Sequence, residues 1–94
     1  MHPPDAVLCI ASPRTDATPM MARPRLRLPA DLTCSQLVQT IRKRVNLTPT
    51  STLFAFCENR MLTGDTSVLT LLRSQKATDD GILHVTYSLE NAFG

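Results

Sequence analysis

The clearest pattern of apolar and polar positions lies in residues 32–46, where it follows the period of an α-helix. Leu37, Ile41 and Val45 recur at four-residue spacing with Val38 beside them, while polar and basic residues fill most of the remaining positions. A helix with one apolar stripe buries that stripe against another element. The pattern therefore predicts an amphipathic helix with one buried face.

Both ends of this helix carry local signals. Thr33 is followed three residues later by Gln36, which is the spacing of a capping box. Basic residues at positions 42–44 suit the negative end of the helix dipole, and Asn46 with Pro49 shortly after it supplies a stop. We therefore expect the helix to begin at Thr33 and to end near Asn46.

Two stretches before the helix have the patterns of strands. Residues 6–11 are apolar almost throughout, which predicts a central strand covered on both faces. Residues 25–28 alternate arginine with leucine, which predicts a half-exposed edge strand with its leucines turned inward. The sheet is thus expected to hold one buried strand and one strand at its edge.

The second half of the chain predicts two more strands and a short helix. Residues 53–57 form an apolar strand, and residues 58–60 form a polar turn. Asp65 or Thr66 is the predicted cap of a helix over residues 67–74, and residues 82–88 alternate as a last strand. This order predicts an α+β fold of the ubiquitin-like β-grasp type, a mixed sheet with one main helix and a short second helix.

The composition predicts one domain over residues 1–94, with residues 1–5 and 89–94 as extended termini. Hydrophobic residues make up 43% of the chain, enough for one core of modest size. The formal charge is +4 over residues 1–46 and −2 over residues 47–94. This imbalance is too mild for a dedicated nucleic-acid-binding protein, but it gives one face a positive potential.

The three cysteines do not predict a reactive site. Cys9, Cys34 and Cys57 are odd in number and lack the paired spacing of a zinc site. No signal peptide precedes them, so a reduced, cytoplasmic protein is expected. His84 falls in a predicted strand without a recognisable third group to orient it as a catalytic base. We expect no metal, no cofactor, no enzymatic activity and no membrane-spanning segment.

Three motifs in order closely resemble one family. They are PADLT at residues 29–33, IRKR at residues 41–44 and DGILHVTYSLENAFG at residues 80–94. Together they are similar to the autophagy ubiquitin-like modifiers, the family of autophagy-related protein 8, GABARAP and microtubule light chain 3. The resemblance runs from Val7 to Gly94 and is weakest over residues 61–78.

The resemblance implies covalent attachment through the end of the chain. In this family a C-terminal glycine is activated by an E1-like enzyme, passed to an E2-like enzyme and joined to phosphatidylethanolamine, and a cysteine protease serves processing and deconjugation. Gly94 would take the role of the attached residue and Phe93 that of a recognition residue for the conjugation enzymes. A cytoplasmic pool and a lipid-attached pool on autophagosomal membranes would follow.

The resemblance also implies a docking site for receptor proteins. Their short motif, an aromatic and an aliphatic residue three apart, would add as a strand to the edge at residues 25–29. The pocket for the aromatic would be formed by Ala6, Leu8, Arg25 and Ile82. The pocket for the aliphatic would be formed by Leu28, Pro29, Leu32, Leu37 and Thr40.

This chain departs from the family pattern at several of these positions. Ala6 stands where the family has a proline, Ile82 where it has an aromatic residue, and Arg27 and Thr40 where it has aliphatic residues. Only residues 1–5 precede the first predicted strand, where family members carry two helices. An end at Gly94 implies either that no proteolytic maturation is needed or that the chain was trimmed.

Two alternatives to a lipid-attached modifier are open. One is conjugation to a protein lysine, as in the autophagy-related protein 12 type, which also ends in a bare glycine. The other is a β-grasp interaction module that is never conjugated, because architecture alone does not give function.

Overall fold

Five strands and two helices make up the part of the chain that the computed structural model describes, which is residues 5–14, 21, 23–45, 52–75 and 80–89. In chain order they are β1 (Ala6–Pro13), β2 (Arg25–Pro29), α1 (Cys34–Val45), β3 (Phe54–Cys57), β4 (Arg60–Met61), α2 (Val68–Ser74) and β5 (Leu83–Ser88). The predicted helix stop at Asn46 and Pro49, and the predicted attachment residues Phe93 and Gly94, lie outside the described residues.

The strands form one mixed sheet in the order β2-β1-β5-β3-β4. The central pair, β1 and β5, runs parallel, and the other three pairs run antiparallel. A mixed sheet with one long helix and one short helix is the arrangement of the β-grasp fold, so the predicted α+β class is confirmed. The prediction that β2 lies at an edge of the sheet is also correct.

The start of α1 has the predicted capping box. The Gln36 backbone N–H donates to the Thr33 hydroxyl at 3.2 Å, and the Thr33 backbone N–H donates to the Gln36 side-chain oxygen at 3.0 Å. Each side chain thus satisfies a backbone donor that has no partner within the helix.

The apolar stripe of α1 packs into the core. Leu37 and Ile41 are fully buried and Val45 nearly so, while Val38 is only partly buried. Cys34 completes the stripe one turn before Leu37, which the sequence analysis overlooked. Sheet residues packed with these side chains include Val7, Cys9, Leu26, Leu28, Ala55, Leu83, Val85 and Tyr87.

The prediction that β1 is covered on both faces is wrong. Val7, Cys9 and Ala11 are buried on the face that packs with the helices, but Leu8, between them, is 56% exposed. Side chains alternate between the two faces of a strand, and both described helices pack against the same face. A central position in the hydrogen-bonding order does not by itself cover the second face.

Two further details differ from the sequence analysis. The cap of α2 is Ser67, whose hydroxyl accepts the Thr70 backbone N–H at 3.1 Å, and not Asp65 or Thr66. Strand β4 was not predicted, because two residues are too few to show a period. It is joined to β3 by a tight turn in which Glu58 and Asn59 have φ angles of 51° and 66°, as two-residue hairpin loops require.

Within the described ranges, no helix has both the length and the apolar character needed to cross a lipid bilayer.

Replacing Ile41 with Ala should lower the free energy of unfolding by about 2 to 5 kcal/mol, because its side chain is fully buried and the change leaves a cavity. Chemical denaturation measures this loss. Gln39→Ala, on the exposed face of the same helix, is the matched control and should change stability by no more than about 0.5 kcal/mol. Equal effects of the two substitutions would contradict the packing of α1.

Candidate functional site

The outer edge of β2 is the first feature of the candidate site. Its inner edge pairs with β1 in an antiparallel register, in which Val7 lies opposite Leu28 and Leu8 opposite Arg27. Within the described ranges, no strand pairs with the outer edge. An unpaired strand edge presents backbone donors and acceptors to which a further strand can bond.

The two faces of β2 differ in chemistry. Leu26 and Leu28 are buried in the core at 4% and 3% exposure, as the alternation predicted. Arg25 and Arg27 are exposed on the opposite face. In the described part of the chain, neither arginine forms an ion pair, since the single ion pair found there joins Asp80 and His84.

A depression of about 420 Å³ lies on the outer face of the sheet, away from the helices. Asp5, Ala6, Leu8 and Arg27 line it. In the parallel pairing Cys9 lies opposite Leu83, and extending that register by one residue places Ile82 beside Leu8. Of the predicted residues of the aromatic pocket, Ala6 and Leu8 line this depression and Ile82 lies beside Leu8. Arg25 lies two residues before Arg27 on the same face of β2, opposite Ile10.

A second depression, of about 360 Å³, lies along α1. It is lined by Leu32, Ser35, Gln36, Gln39, Thr40 and Lys43. Leu32 and Thr40 are predicted residues of the aliphatic pocket. Gln36, Gln39 and Lys43 were not predicted, although they share a helix face with Thr40 at three- and four-residue spacing, which is a signal visible in the sequence.

Leu28 and Leu37 do not line this surface. Their side chains are 3% and 0% exposed and belong to the hydrophobic core. They present almost no surface to a ligand. Pro29 is exposed at the end of β2, opposite Ala6.

Side-chain hydrogen bonds hold Ile82 in place from both sides. Its backbone N–H donates to the Asp80 carboxylate at 2.9 Å, and its carbonyl accepts from the Gln75 amide at 2.9 Å. The Gln75 side-chain oxygen accepts the His84 backbone N–H at 2.8 Å, and Asp80 also contacts the His84 ring at 3.1 Å. Gln75 and Asp80 were not predicted. Gln75 bonds to backbone groups seven and nine residues away, which only the fold brings near, whereas the bond from the Ile82 N–H to Asp80 spans two residues and is a local turn contact visible in the sequence.

The cysteines are unsuited to nucleophilic chemistry. All three are free and buried, and burial raises the pKa of the Cys9 thiol to about 12, with the nearby Cys57 as a second cause. Burial also raises the pKa values of Cys34 and Cys57. A neutral, buried thiol is a poor nucleophile and a poor metal ligand. Residues 5–14, 21, 23–45, 52–75 and 80–89 contain no cluster of side chains that could hold a metal ion.

A mixed β-grasp sheet with one long and one short helix on one face defines the class of the protein. It is a ubiquitin-like domain whose sheet, over the described residues, has an unpaired strand at one edge.

The family follows from comparison with known proteins. A family model described as "Autophagy protein Atg8 ubiquitin like" matches residues 3–94. Autophagy-related protein 8 of Mycosarcoma maydis is 35% identical over 88 residues, which cover 94% of this chain and 73% of that protein. Autophagy-related protein 8A of Oryza sativa subsp. indica is 37% identical over 81 residues, covering 86% of this chain and 66% of that protein.

A solved structure agrees with these relatives. The crystal structure of Trypanosoma brucei ATG8 matches with a TM-score of 0.77 and 28% identity, covering 89% of this chain and 72% of that one. The chain therefore belongs to the Atg8 family of ubiquitin-like autophagy proteins. The resemblance seen in the three sequence motifs is confirmed, and so is the ubiquitin-like fold.

Raising the pH above about 9 should destabilise the fold through Cys9. Its pKa is about 12 in the folded protein against an ordinary value of 9.0, so between these values the folded state binds more protons than the unfolded state. The free energy of unfolding should then fall by up to about 1.4 kcal/mol per pH unit from this thiol. Below pH 9 its contribution is fully present.

Denaturation curves at a series of pH values for the wild type and for Cys9→Ala test this expectation. The variant should lose stability less steeply above pH 9, whatever its stability at neutral pH. If the free energy of unfolding of the two proteins falls equally steeply with pH, other titrating groups cause the loss of stability.

Proposed function

We propose that this protein is a conjugated modifier of autophagy, joined through the carboxyl group of Gly94 to the amine of phosphatidylethanolamine. The observation that carries the proposal is the family match over residues 3–94, which includes the C-terminal Phe-Gly pair. An E1-like enzyme would adenylate the carboxyl group with ATP and take it as a thioester, and an E2-like enzyme would pass it to the lipid amine. The chain itself supplies the carboxyl group and no catalytic residue.

The chemistry of the C-terminal pair supports these roles. Glycine has no side chain to obstruct a narrow channel or the exchange of one thioester for another. Phe93 offers an aromatic side chain that the conjugation enzymes, and the cysteine protease that removes the modifier, could recognise next to the scissile bond. Both residues are proposed by resemblance to the family.

Lipid attachment would explain how a domain of formal charge +2 could be held at a membrane. A single acyl chain gives only marginal, reversible binding, whereas two chains anchor a protein stably. Phosphatidylethanolamine brings two chains in one conjugation step. The proposal therefore includes a cytoplasmic pool and a lipid-attached pool on autophagosomal membranes.

We also propose that the edge of β2 recruits receptor proteins through a short aromatic and aliphatic motif. Residues three apart on a strand point to opposite faces, because the side-chain period is two. One depression lies on the outer face of the sheet at Leu8, and the other lies on the helix side, along α1 at Leu32. A single added strand could fill both depressions with residues three apart, and this geometry supports the docking proposal.

Replacing Gly94 with Ala should abolish or sharply slow thioester formation and lipid attachment, while the melting temperature stays nearly unchanged. The test combines purified protein with E1-like and E2-like enzymes, ATP and phosphatidylethanolamine vesicles, followed by gel shift and mass spectrometry. Asn91→Ala is a control that should still be conjugated.

The products separate the three hypotheses. Lipid adducts of the wild type that vanish in Gly94→Ala support the proposal. An adduct with a protein lysine in place of lipid would favour the autophagy-related protein 12 type. Absence of any adduct with active enzymes would favour the unconjugated interaction module.

A peptide with an aromatic and an aliphatic residue three apart, flanked by acids, should shift the amide signals of residues 25–29 and those around Leu8. Affinity is expected at roughly 10 to 100 µM, because Thr40 and Ile82 are smaller than the residues of the family pattern. Leu8→Ser should weaken binding roughly fivefold, since it removes an apolar contact worth about 1 kcal/mol.

Titration of the protein with the peptide, followed by two-dimensional NMR, measures both the amide shifts and the affinity. Met61→Ser, on the opposite edge strand, is the matched control and should bind like the wild type. Shifts confined to α2 would rule out docking on β2.

A further inference from the structure

We infer that Gln75 is a positioning residue for the aromatic pocket, because its side-chain amide takes the place of a neighbouring strand at the start of β5 and holds Ile82 beside Leu8. This inference rests on the docking function proposed above. It adds a residue outside β2 that sets how strongly the aromatic anchor binds, although Gln75 lines neither depression of the candidate site.

The start of β5 has a strand on one side only. Residues 83–87 pair with β1, whereas β3 pairs on the other side with residues 86–88 alone. In the described part of the chain, no strand pairs with residues 82–85 on that second side. The backbone groups that point to this side need partners from elsewhere, because an unpaired backbone donor or acceptor away from water is costly.

The Gln75 side chain supplies these partners. Its Nε2 donates to the Ile82 carbonyl at 2.9 Å, and its Oε1 accepts the His84 backbone N–H at 2.8 Å. One residue of a parallel strand bonds in the same way, to the carbonyl before its partner residue and to the N–H after it. The amide therefore bridges Leu83 as a strand would.

Gln75 is itself held at the end of α2. It is the C-cap residue of that helix, and its backbone N–H donates to the carbonyls of Leu71 and Leu72 at 3.0 and 3.3 Å. The other end of α2 is tied to the second depression, where the Val68 N–H donates to the Leu32 carbonyl at 2.8 Å. Helix α2 thus holds one residue of each predicted pocket, one at each of its ends.

The position of Ile82 matters for the outer depression. Leu83 is fully buried on the helix side, so Ile82 points to the outer face, beside Leu8 in the extended register. Of the two side-chain bonds to the Ile82 backbone, the one from Gln75 is part-buried and the one to Asp80 is exposed. Loss of the Gln75 bond should therefore let Ile82 move away from Leu8 and weaken the apolar contact with the aromatic anchor.

The test uses two peptides that differ only at the first anchor, which is Phe or Ala, and titrates each into wild-type protein and Gln75→Leu. The ratio of the two dissociation constants measures the contribution of the aromatic anchor. Gln75→Leu keeps the size of the side chain but removes both bonds, and it should lower this ratio about two- to fivefold, as for residues coupled through one network. Gln75 lies outside the hydrophobic core, so the fold should persist.

A second variant separates the two bonds. Gln75→Glu keeps an acceptor for the His84 N–H but loses the donor to the Ile82 carbonyl. It should lower the ratio as Gln75→Leu does, while amide hydrogen exchange at His84 stays near that of the wild type. In Gln75→Leu the same amide should exchange faster.

Two backgrounds test whether Gln75 acts through Ile82. In Ile82→Ala, adding Gln75→Leu should leave the ratio unchanged, because the side chain that Gln75 positions has been removed. Ser67→Ala is the matched control, since it removes the cap at the other end of α2 and should keep the wild-type ratio.

Three results would overturn the inference and leave the docking function standing. They are an equal loss of affinity for both peptides in Gln75→Leu, a similar fall of the ratio in Ser67→Ala, and a further fall when Gln75→Leu is added to Ile82→Ala. An unchanged ratio in Gln75→Leu would overturn it as well. Failure of both peptides to bind the wild type would overturn the docking function itself.

Discussion

The parallel pairing of β1 with β5 is the constraint on which the rest of the structure depends. It joins residues more than seventy positions apart, from Cys9 opposite Leu83 to Pro13 opposite Tyr87. Closing so long a loop costs conformational entropy, which the burial of β5 offsets, since Leu83, Val85 and Tyr87 are at most 1% exposed. With this pair at the centre, β2 can add only on one side and the β3–β4 hairpin only on the other, so β2 is left at an edge.

The same pairing assembles the outer face of the candidate docking site. Leu8 and Ile82 meet there only because β1 and β5 are neighbours, and the bonds from Gln75 and Asp80 then hold Ile82 at the start of β5. Since both described helices pack against the other face, the exposed apolar surface of Leu8 stays available beside the arginines of β2. The apolar side chain of Leu8 and the positive charges of β2 therefore lie on the same surface. Such a surface suits the proposed motif, which combines hydrophobic anchors with acids.

The helix side of the site is held by a different set of contacts. The Val68 backbone N–H donates to the Leu32 carbonyl at 2.8 Å, and the Cys34 N–H donates to the Thr66 carbonyl at 2.9 Å. The segment that leads into α2 is thereby tied to the start of α1, where Leu32 lines the second depression. The short helix contributes to the proposed function by fixing the position of Leu32, although it does not line that depression itself.

The sequence by itself determined the features that depend on near neighbours in the chain. The capping box at Thr33, the buried stripe of α1 and the alternation of β2 all act over distances of two to four residues, so their patterns are visible before folding. The exposure of Leu8 was decided only by the tertiary structure, because it lies in an apolar run yet faces outward. Leu28 and Leu37, which the family resemblance placed in a surface pocket, lie in the core, as the alternation of β2 and the stripe of α1 predicted. The physical reason is that a side chain's burial depends on which face of the sheet the helices cover, and that choice is made by contacts between residues far apart in the chain.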